Sequence, residues 1–246
     1  MSRAAFISGG SSGIGLVLAG ALLDLGYEVT ISARRPAKLE QAAAGLASRG
    51  NVHAVVADVR EEEQIEAAIA SHANEFGRLN VLVNNAGAGF AAPLGETDAK
   101  RIDLMLAVNL RSAILCTRAA APMLIEAAPS HIFNISSYAG VSGQAQMTAY
   151  SAAKAGLNGF TEAAQAELGP QGVGVTAICP AFVDTAMAEG VRSVIERDDL
   201  ITTEDVATVI VSLLSLSRAC HVPSVVMKPL VGGLQGWSDV TGVQSV

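Results

Sequence analysis

Aromatic residues are scarce: they make up 4% of the 246 residues, and Trp237 is the one tryptophan. A core built from this chain must rest on Ala, Val, Leu and Ile rather than on stacked rings. Charge is thin as well, at 16%, and no run of Lys or Arg is longer than the pair Arg34-Arg35. With a net charge of −7, neither an extended nucleic-acid footprint nor a basic membrane anchor is expected. Cysteine is limited to Cys116, Cys179 and Cys220, an odd number with no C-x-x-C spacing. That argues against a disulfide framework or a metal site, and for buried small residues in a reducing compartment. The longest near-apolar run, 206–216, falls short of the roughly 20 residues that cross a bilayer. The opening MSRAAFISGG meets glycine before a signal-type apolar stretch can form. These absences lead to the expectation of a soluble, cytoplasmic protein.

What is present is an α/β rhythm. Residues 4–8, 27–32 and 52–57 read as β-branched strands, each followed by a helical pattern at 14–25, 36–48 and 61–76. A fourth strand from 81 runs into Asn84-Asn85-Ala86-Gly87, and a long helical stretch at 99–121 ends at Pro122. Then come a strand at 131–135, a helix at 148–168, a strand at 173–178, a looser segment at 181–200, a helix at 204–216 and a strand at 224–227. Strand–helix–strand alternation with right-handed crossovers gives a doubly wound parallel sheet of about seven strands, with helices on both faces. No linker, repeat or charge block divides the chain, so 1–246 reads as one domain with a substrate lid near 181–200. Ligands on such a sheet bind beyond the carboxyl ends of the strands, where the strand order reverses.

The first strand ends in Ser8-Gly9-Gly10-Ser11-Ser12-Gly13-Ile14-Gly15. Glycines in the spacing G-x-x-x-G-x-G permit a sharp strand-to-helix turn and a close backbone approach to a pyrophosphate. The helix that follows aims free N–H groups at an anion. The second strand ends without an acid, in Ser32-Ala33-Arg34-Arg35. An acid at this position suits the 2′-hydroxyl of NAD, whereas Arg suits the 2′-phosphate of NADP. The expected cofactor is therefore NADP(H), held by Arg34 and Arg35.

Tyr150 and Lys154 lie one turn apart on one face of a helix. A free phenol, with a pKa of about 10, is a poor base at neutral pH. An adjacent ammonium favours the phenolate and turns the pair into an acid/base couple. Asn134-Ile135-Ser136-Ser137 closes the preceding strand, and a short loop can bring it into the same crevice. Strand alternation sends Ser136 and Ser137 to opposite faces, so one of them serves.

Taken in order, these motifs resemble the short-chain dehydrogenase/reductase family, from the first strand to the last. They are the glycine loop with Gly9, Gly13 and Gly15, Asp58-Val59, Asn84 to Gly87, Asn109, Ser137, Tyr150 with Lys154, and Pro180 with Thr185. The resemblance implies a Rossmann-type fold and a hydride transfer between a nicotinamide and a carbonyl or secondary alcohol. It implies that Tyr150 is the general acid/base, that Lys154 lowers its pKa and holds the nicotinamide ribose, and that Ser137 binds the substrate oxygen. Asn109 would hold a water that links Lys154 to solvent. Ser11, Ser12 and Ile14 of the loop, Asp58 and Val59 at the adenine, and Asn85, Ala86 and Gly87 would line the cofactor cleft. Pro180, Val183 and Thr185 would cover the nicotinamide. Bland readings stand beside these: Asp58 as a helix cap, Asn109 as a polar residue that bends its helix.

Three departures stand out. Ser8 replaces the family's usual Thr, Ala181 follows Pro180 where Gly is common, and Lys228-Pro229 ends the last strand. Phe90, Tyr138, Gln144, Gln146, Phe182 and Met187 are candidate pocket residues for a mostly apolar substrate, and Arg192 reads as a solvated charge. The helices at 99–121 and 148–168 carry apolar or small residues on more than one face, more than one sheet can cover, and the family resemblance implies a homo-oligomer, a dimer or tetramer, built on them. Two other functions compete: a non-catalytic NADP-binding regulator of the same fold, and an interaction protein that uses its helices alone.

Overall fold

Side-chain alternation along the first strand, β1 (Arg3–Ser8), sends Phe6 and Ile7 to opposite faces, and both are buried. The computed structural model, which describes residues 2–191 and 199–230, gives each face its own apolar layer. Ile7, Ile31 and Phe133 pack with Leu18, Leu22 and Ile210 on one side. Phe6, Leu82 and Ile132 pack with Ile69, Leu124 and Leu168 on the other. A parallel sheet covered on both faces needs such continuous apolar strands.

The strands are β1, β2 (Tyr27–Ala33), β3 (Val52–Val56), β4 (Val81–Asn84), β5 (Ser130–Ile135), β6 (Val173–Pro180) and β7 (Ser224–Met227). They form one seven-stranded sheet in the order β3-β2-β1-β4-β5-β6-β7, and every pairing is parallel. This is the doubly wound architecture expected from the sequence. The order reverses between β1 and β4, so the loops after these two strands meet at the switch point.

Helices α1 (Gly13–Asp24), α2 (Pro36–Leu46) and α3 (Glu62–Phe76) follow the first three strands. The long stretch between β4 and β5 is not uniform. α4 (Ala99–Leu106) passes into a π-helical segment at Ala107–Arg111 and then into α5 (Ser112–Glu126). The π-turn falls on Asn109, and such bulges mark functional sites more often than chance. By length and composition alone Ala99–Glu126 could cross a membrane, yet half of its most apolar 18-residue window is buried here, α5 against α3 and β4.

α5 also corrects the expected stop at Pro122, which lies inside the helix. Its ring costs one backbone bond to the preceding turn, but Ala120 and Leu124 on either side are fully buried, and that packing carries the helix through. α6 (Thr148–Leu168) carries the Tyr-Lys pair, and α7 (Thr203–Leu214) opens with a capping box between Thr202 and Asp205. Of the segment read as a lid, 192–198 lies outside the described residues, and so does Arg192.

Candidate active site

The glycine loop is shaped by what stands beside it. Gly9 and Gly13 have φ of +68° and +55°, a region that L side chains rarely enter. A Cβ on Gly9 would lie 2.9 Å from Ala86 Cα, and one on Gly15 2.7 Å from the Gly9 carbonyl. The loop thus packs against the end of β4 with no room for a methyl group. Ser8 ties the two together: its hydroxyl accepts from the backbone N–H groups of Asn85 and Ala86, both at 3.1 Å. Asn85 returns the contact through its amide, which donates to the carbonyls of Ser8 (2.9 Å) and Gly9 (3.1 Å). The Ser-for-Thr departure keeps the one atom that matters. α1 begins at this loop with no side-chain cap and no acid in its first turn, so its N–H groups and positive dipole end are left for an anion.

One cavity of about 830 Å³ runs along the carboxyl ends of the strands from Arg34 to Met187. It is lined by Gly9, Ser11, Ser12, Gly13 and Ile14 at its middle, and by Arg34, Arg35, Asp58 and Val59 at one end. Asn85, Ala86, Gly87, Asn109, Ser137, Tyr150, Lys154, Pro180, Val183 and Thr185 also line it. Gly15 is absent from the lining: it is buried and packs against Asn85 and the Gly9 carbonyl.

Tyr150 is buried, and the Ser137 hydroxyl lies near enough to its phenol to lower the phenol's pKa. Ser136 spends its own hydroxyl on the Lys154 carbonyl at 3.2 Å, which leaves Ser137 as the serine beside the phenol. Lys154 is 4% exposed; its ammonium donates to the Ile135 carbonyl at 2.8 Å and lies 5.7 Å from the centre of the Tyr150 ring. Burial pushes Lys154 down to about 8 and pushes the Tyr150 phenol up, an effect that the Ser137 hydroxyl partly offsets.

With this geometry goes a match in sequence. The model of the short chain dehydrogenase family matches residues 3–195. The chain belongs to the short-chain dehydrogenase family. Over 228 residues it is 29% identical to an uncharacterized oxidoreductase of Staphylococcus aureus, an alignment that covers 93% of this chain and 97% of the relative. A Staphylococcus saprophyticus oxidoreductase is 31% identical over 190 residues, 76% of this chain and 80% of its own length. Among solved structures, the fold superposes on a variant of actinorhodin polyketide ketoreductase with NADPH, with a TM-score of 0.86, 28% identity and coverage of 94% and 97%. A metagenomic short-chain oxidoreductase in complex with NADP gives a TM-score of 0.81 at 32% identity, with coverage of 93% and 97%. This short-chain dehydrogenase is thus an oxidoreductase of a family that works with a nicotinamide cofactor.

Several residues take places that the sequence did not assign. Asn109 clamps the loop after β4: Nδ2 donates to the carbonyls of Ala88 (2.9 Å) and Met105 (3.0 Å), and Oδ1 accepts from the Ala88 N–H at 3.2 Å. A Cβ on Gly87 would lie 3.3 Å from Asn109 Oδ1 and 4.0 Å from Lys154 Nζ, so both side chains border one small space. Asp58 does not cap α3, whose N-cap is Glu61. Ala181 takes no positive φ, and its N–H donates to the Met227 carbonyl at 2.8 Å, so a glycine is not required there.

Phe90, Tyr138, Gln144, Phe182 and Met187 line the cavity, but Gln146 does not. Gln146 is the turn residue with φ of 62°, and its carbonyl accepts from the Ala92 N–H at 2.8 Å. Sequence reasoning missed Lys38 and Arg60, both in the lining. The signal for Lys38 was available: α2 starts with Arg35 as N-cap, no acid in its first turn and no side-chain cap. Cations gathered at the positive end of a helix are unfavourable unless an anion joins them.

Proposed function

We propose that this short-chain dehydrogenase is a single-domain, NADP(H)-dependent carbonyl reductase acting on a mostly apolar small-molecule ketone or the corresponding secondary alcohol. The observation that carries the reading is the continuity of one cavity from Arg34, Arg35 and Lys38, past the uncapped start of α1, to Ser137 and Tyr150. The residues fit a dinucleotide: Gly9 and Gly15 leave no space for a side chain where the loop turns, and two helix N-termini in the cavity wall lack acids. Arg34, Arg35 and Lys38 would hold the 2′-phosphate. Ser11, Ser12, Gly13 and Ile14 would meet the pyrophosphate, and Asn85 to Gly87 with Pro180, Val183 and Thr185 would flank the nicotinamide. When bound, the nicotinamide supplies or takes up the hydride.

The chain's own groups do the rest. Ser137 and Tyr150 hold the substrate oxygen and stabilise the negative charge that develops on it. A phenol is protonated at neutral pH, and burial keeps it so, so Tyr150 can donate the proton when a carbonyl is reduced and take it back when an alcohol is oxidised. Lys154, still largely protonated at pH 7 with a pKa of about 8, holds positive charge behind the phenol and returns the proton. The space it shares with Asn109 beside Gly87 is the route by which that proton is replaced. Phe90, Tyr138, Phe182 and Met187 exclude water from the substrate. A homo-oligomer built on the α4–α6 face and a cytoplasmic location complete the proposal; exposed Leu106 and Ile114 support the first, and the sparse charge and unpaired cysteines agree with the second.

The test is a turnover panel of apolar ketones with NADPH and NADH in parallel. Clear preference for NADPH, lost in Arg34→Ala, supports the reading; equal or better efficiency with NADH defeats the cofactor assignment. Binding of NADPH without turnover of any ketone or alcohol would favour the regulator.

A further inference from the structure

Three elements meet at Asn158, one turn beyond Lys154 on α6. The side chain is partly buried and lies outside the cavity lining. Its Nδ2 donates to the Gly140 carbonyl at 3.0 Å, and its Oδ1 accepts from the Cys179 thiol at 3.6 Å. The partners fix the orientation of the amide. A carbonyl can only accept, and burial, which pushes the Cys179 thiol up, keeps that thiol a donor. Asn158 thus joins α6 to the end of β6 and to the turn after β5.

That turn is the one that presents Ser137. Tyr138–Gly140 forms a single 3₁₀ turn with Ser137 as its N-cap. The Gly140 N–H donates to the Ser137 carbonyl at 2.9 Å, and the Ala139 N–H donates to Ser137 Oγ at 3.1 Å. With one lone pair held in this way, the hydroxyl hydrogen is left to point at a substrate oxygen. Gly140 also rests directly on the helix: a Cβ there would lie 2.6 Å from the Lys154 carbonyl carbon and 2.7 Å from its oxygen. Close approach and the Asn158 bond together hold the turn against the helix that carries Tyr150.

We propose that Asn158 is a positioning residue for the reaction: through the Gly140 carbonyl it fixes the turn that aims the Ser137 hydroxyl at the substrate oxygen beside Tyr150. The inference rests on the function proposed above and adds to it a residue that touches neither substrate nor cofactor. Ser137 belongs to the segment after β5 and Tyr150 to α6, so the distance between their hydroxyls depends on how that segment lies on the helix. Asn158 ties the far end of the turn. Without it the turn is free to lift, and Ser137 moves with it. Reacting groups need to be held within about 0.5 Å of their working places, and a misplacement of about 1 Å can cost about a hundredfold in rate.

The experiment compares Asn158→Leu, Ser137→Ala and the double variant in the full chain. Leu keeps the branched shape of Asn and makes neither bond. Asn158→Leu should lower kcat for a ketone that the wild type reduces by roughly 10- to 100-fold, with the dissociation constant of NADPH nearly unchanged. In the Ser137→Ala background the same substitution should cost nothing more, because the hydroxyl that it misplaces is already gone. Asn158→Ala, which adds no bulk, should show the same pattern if the leucine disturbs packing. Hydrogen exchange gives a readout that needs no substrate: in either Asn158 variant the peptide that spans 137–143 should exchange faster, and peptides from α1 and α3 should not.

An equal loss of kcat in both backgrounds makes Asn158 a structural pin and overturns the proposal, as does a loss fully accounted for by unfolded protein in urea melts. Unchanged exchange at 137–143 overturns it too. Full turnover in Ser137→Ala removes Ser137 from the reaction, and the positioning role falls with it. A wild type that turns over no ketone or alcohol is a different result: it sinks the proposed function first and the positioning role as a consequence, while faster exchange in the variants would still show the bond that holds the turn.

Discussion

Two buried nitrogen groups on one face of the sheet, one in the cavity lining and one outside it, make an instructive pair. His72 on α3 and Lys154 on α6 are both almost wholly out of solvent, and burial pushes both down, His72 to about 4 and Lys154 to about 8. At His72 every ring nitrogen is used. Nε2 lies 2.9 Å from the Arg78 carbonyl, which can only accept, so Nε2 donates and Nδ1 accepts from the Thr30 hydroxyl at 2.7 Å. Phe6 and Phe76 pack edge-on around the ring. Lys154 has three donors and uses one, on the Ile135 carbonyl, while the cavity opens beside it. Burial and a shifted pKa are common to both. Spare hydrogen-bonding capacity facing a cavity is what separates a working group from a structural one.

The comparison breaks if removal of the spare group harms the fold, or removal of the satisfied group harms the reaction. The largest effect is expected at the phenol. Tyr150→Phe should lower ketone turnover by roughly 10²- to 10⁴-fold, the usual contribution of a general acid. NADPH affinity and the melting temperature should stay nearly unchanged, as read by titration and calorimetry. Next comes Lys154→Met, which should cost turnover at least about tenfold. It should leave urea stability equal or higher, because an apolar chain of similar length replaces a buried charge. A Lys154→Met variant that melts early with activity intact would place Lys154 among the structural groups.

Much of this contrast was legible before any fold was drawn. Tyr150, Lys154 and the glycine loop announce themselves because their chemistry needs fixed spacing, and the strands do so because a doubly covered parallel sheet demands unbroken apolar runs. Helix ends were less legible. Pro122 should end α5 by its own geometry, and long-range burial of Ala120 and Leu124 overrode it. The π-turn at Ala107–Arg111 had one local mark, Asn109 read as a polar residue that bends its helix, but its bond to Ala88 is visible only in three dimensions. Arg60 was missed for a related reason: beside an acid it reads as a solvated pair, and only the third dimension brings that pair to the cavity. Gln146 was misread because a backbone φ is invisible in a side-chain list.

The structural member of the pair should declare itself in acid. The folded pKa of His72, about 4, lies below its unfolded value of 6.5. Between those values the unfolded chain takes up a proton that the folded chain refuses, so stability falls as pH falls. The contribution is complete above pH 6.5 and gone near pH 4; at about 1.4 kcal/mol per unit it amounts to about 3 kcal/mol. His131, likewise pushed to about 4 by burial, adds a slope of the same sign in the same window. Urea melts at pH 7 and pH 4.5 should therefore show a loss that shrinks in His72→Gln, whose side chain does not titrate.

The smallest effect isolates one hydrogen bond. Thr30→Val keeps the shape of a fully buried side chain but removes the hydroxyl that donates to His72 Nδ1. An acceptor left unpartnered in the interior costs about 1–3 kcal/mol, and the valine methyl itself is welcome there, so the lower half of that range is expected at pH 7. Turnover per folded molecule should not change, because neither Thr30 nor His72 lines the cavity. A drop in turnover larger than the loss of folded protein would mean that the satisfied cluster around His72 feeds the reaction after all, and unused bonding capacity would no longer distinguish site from scaffold.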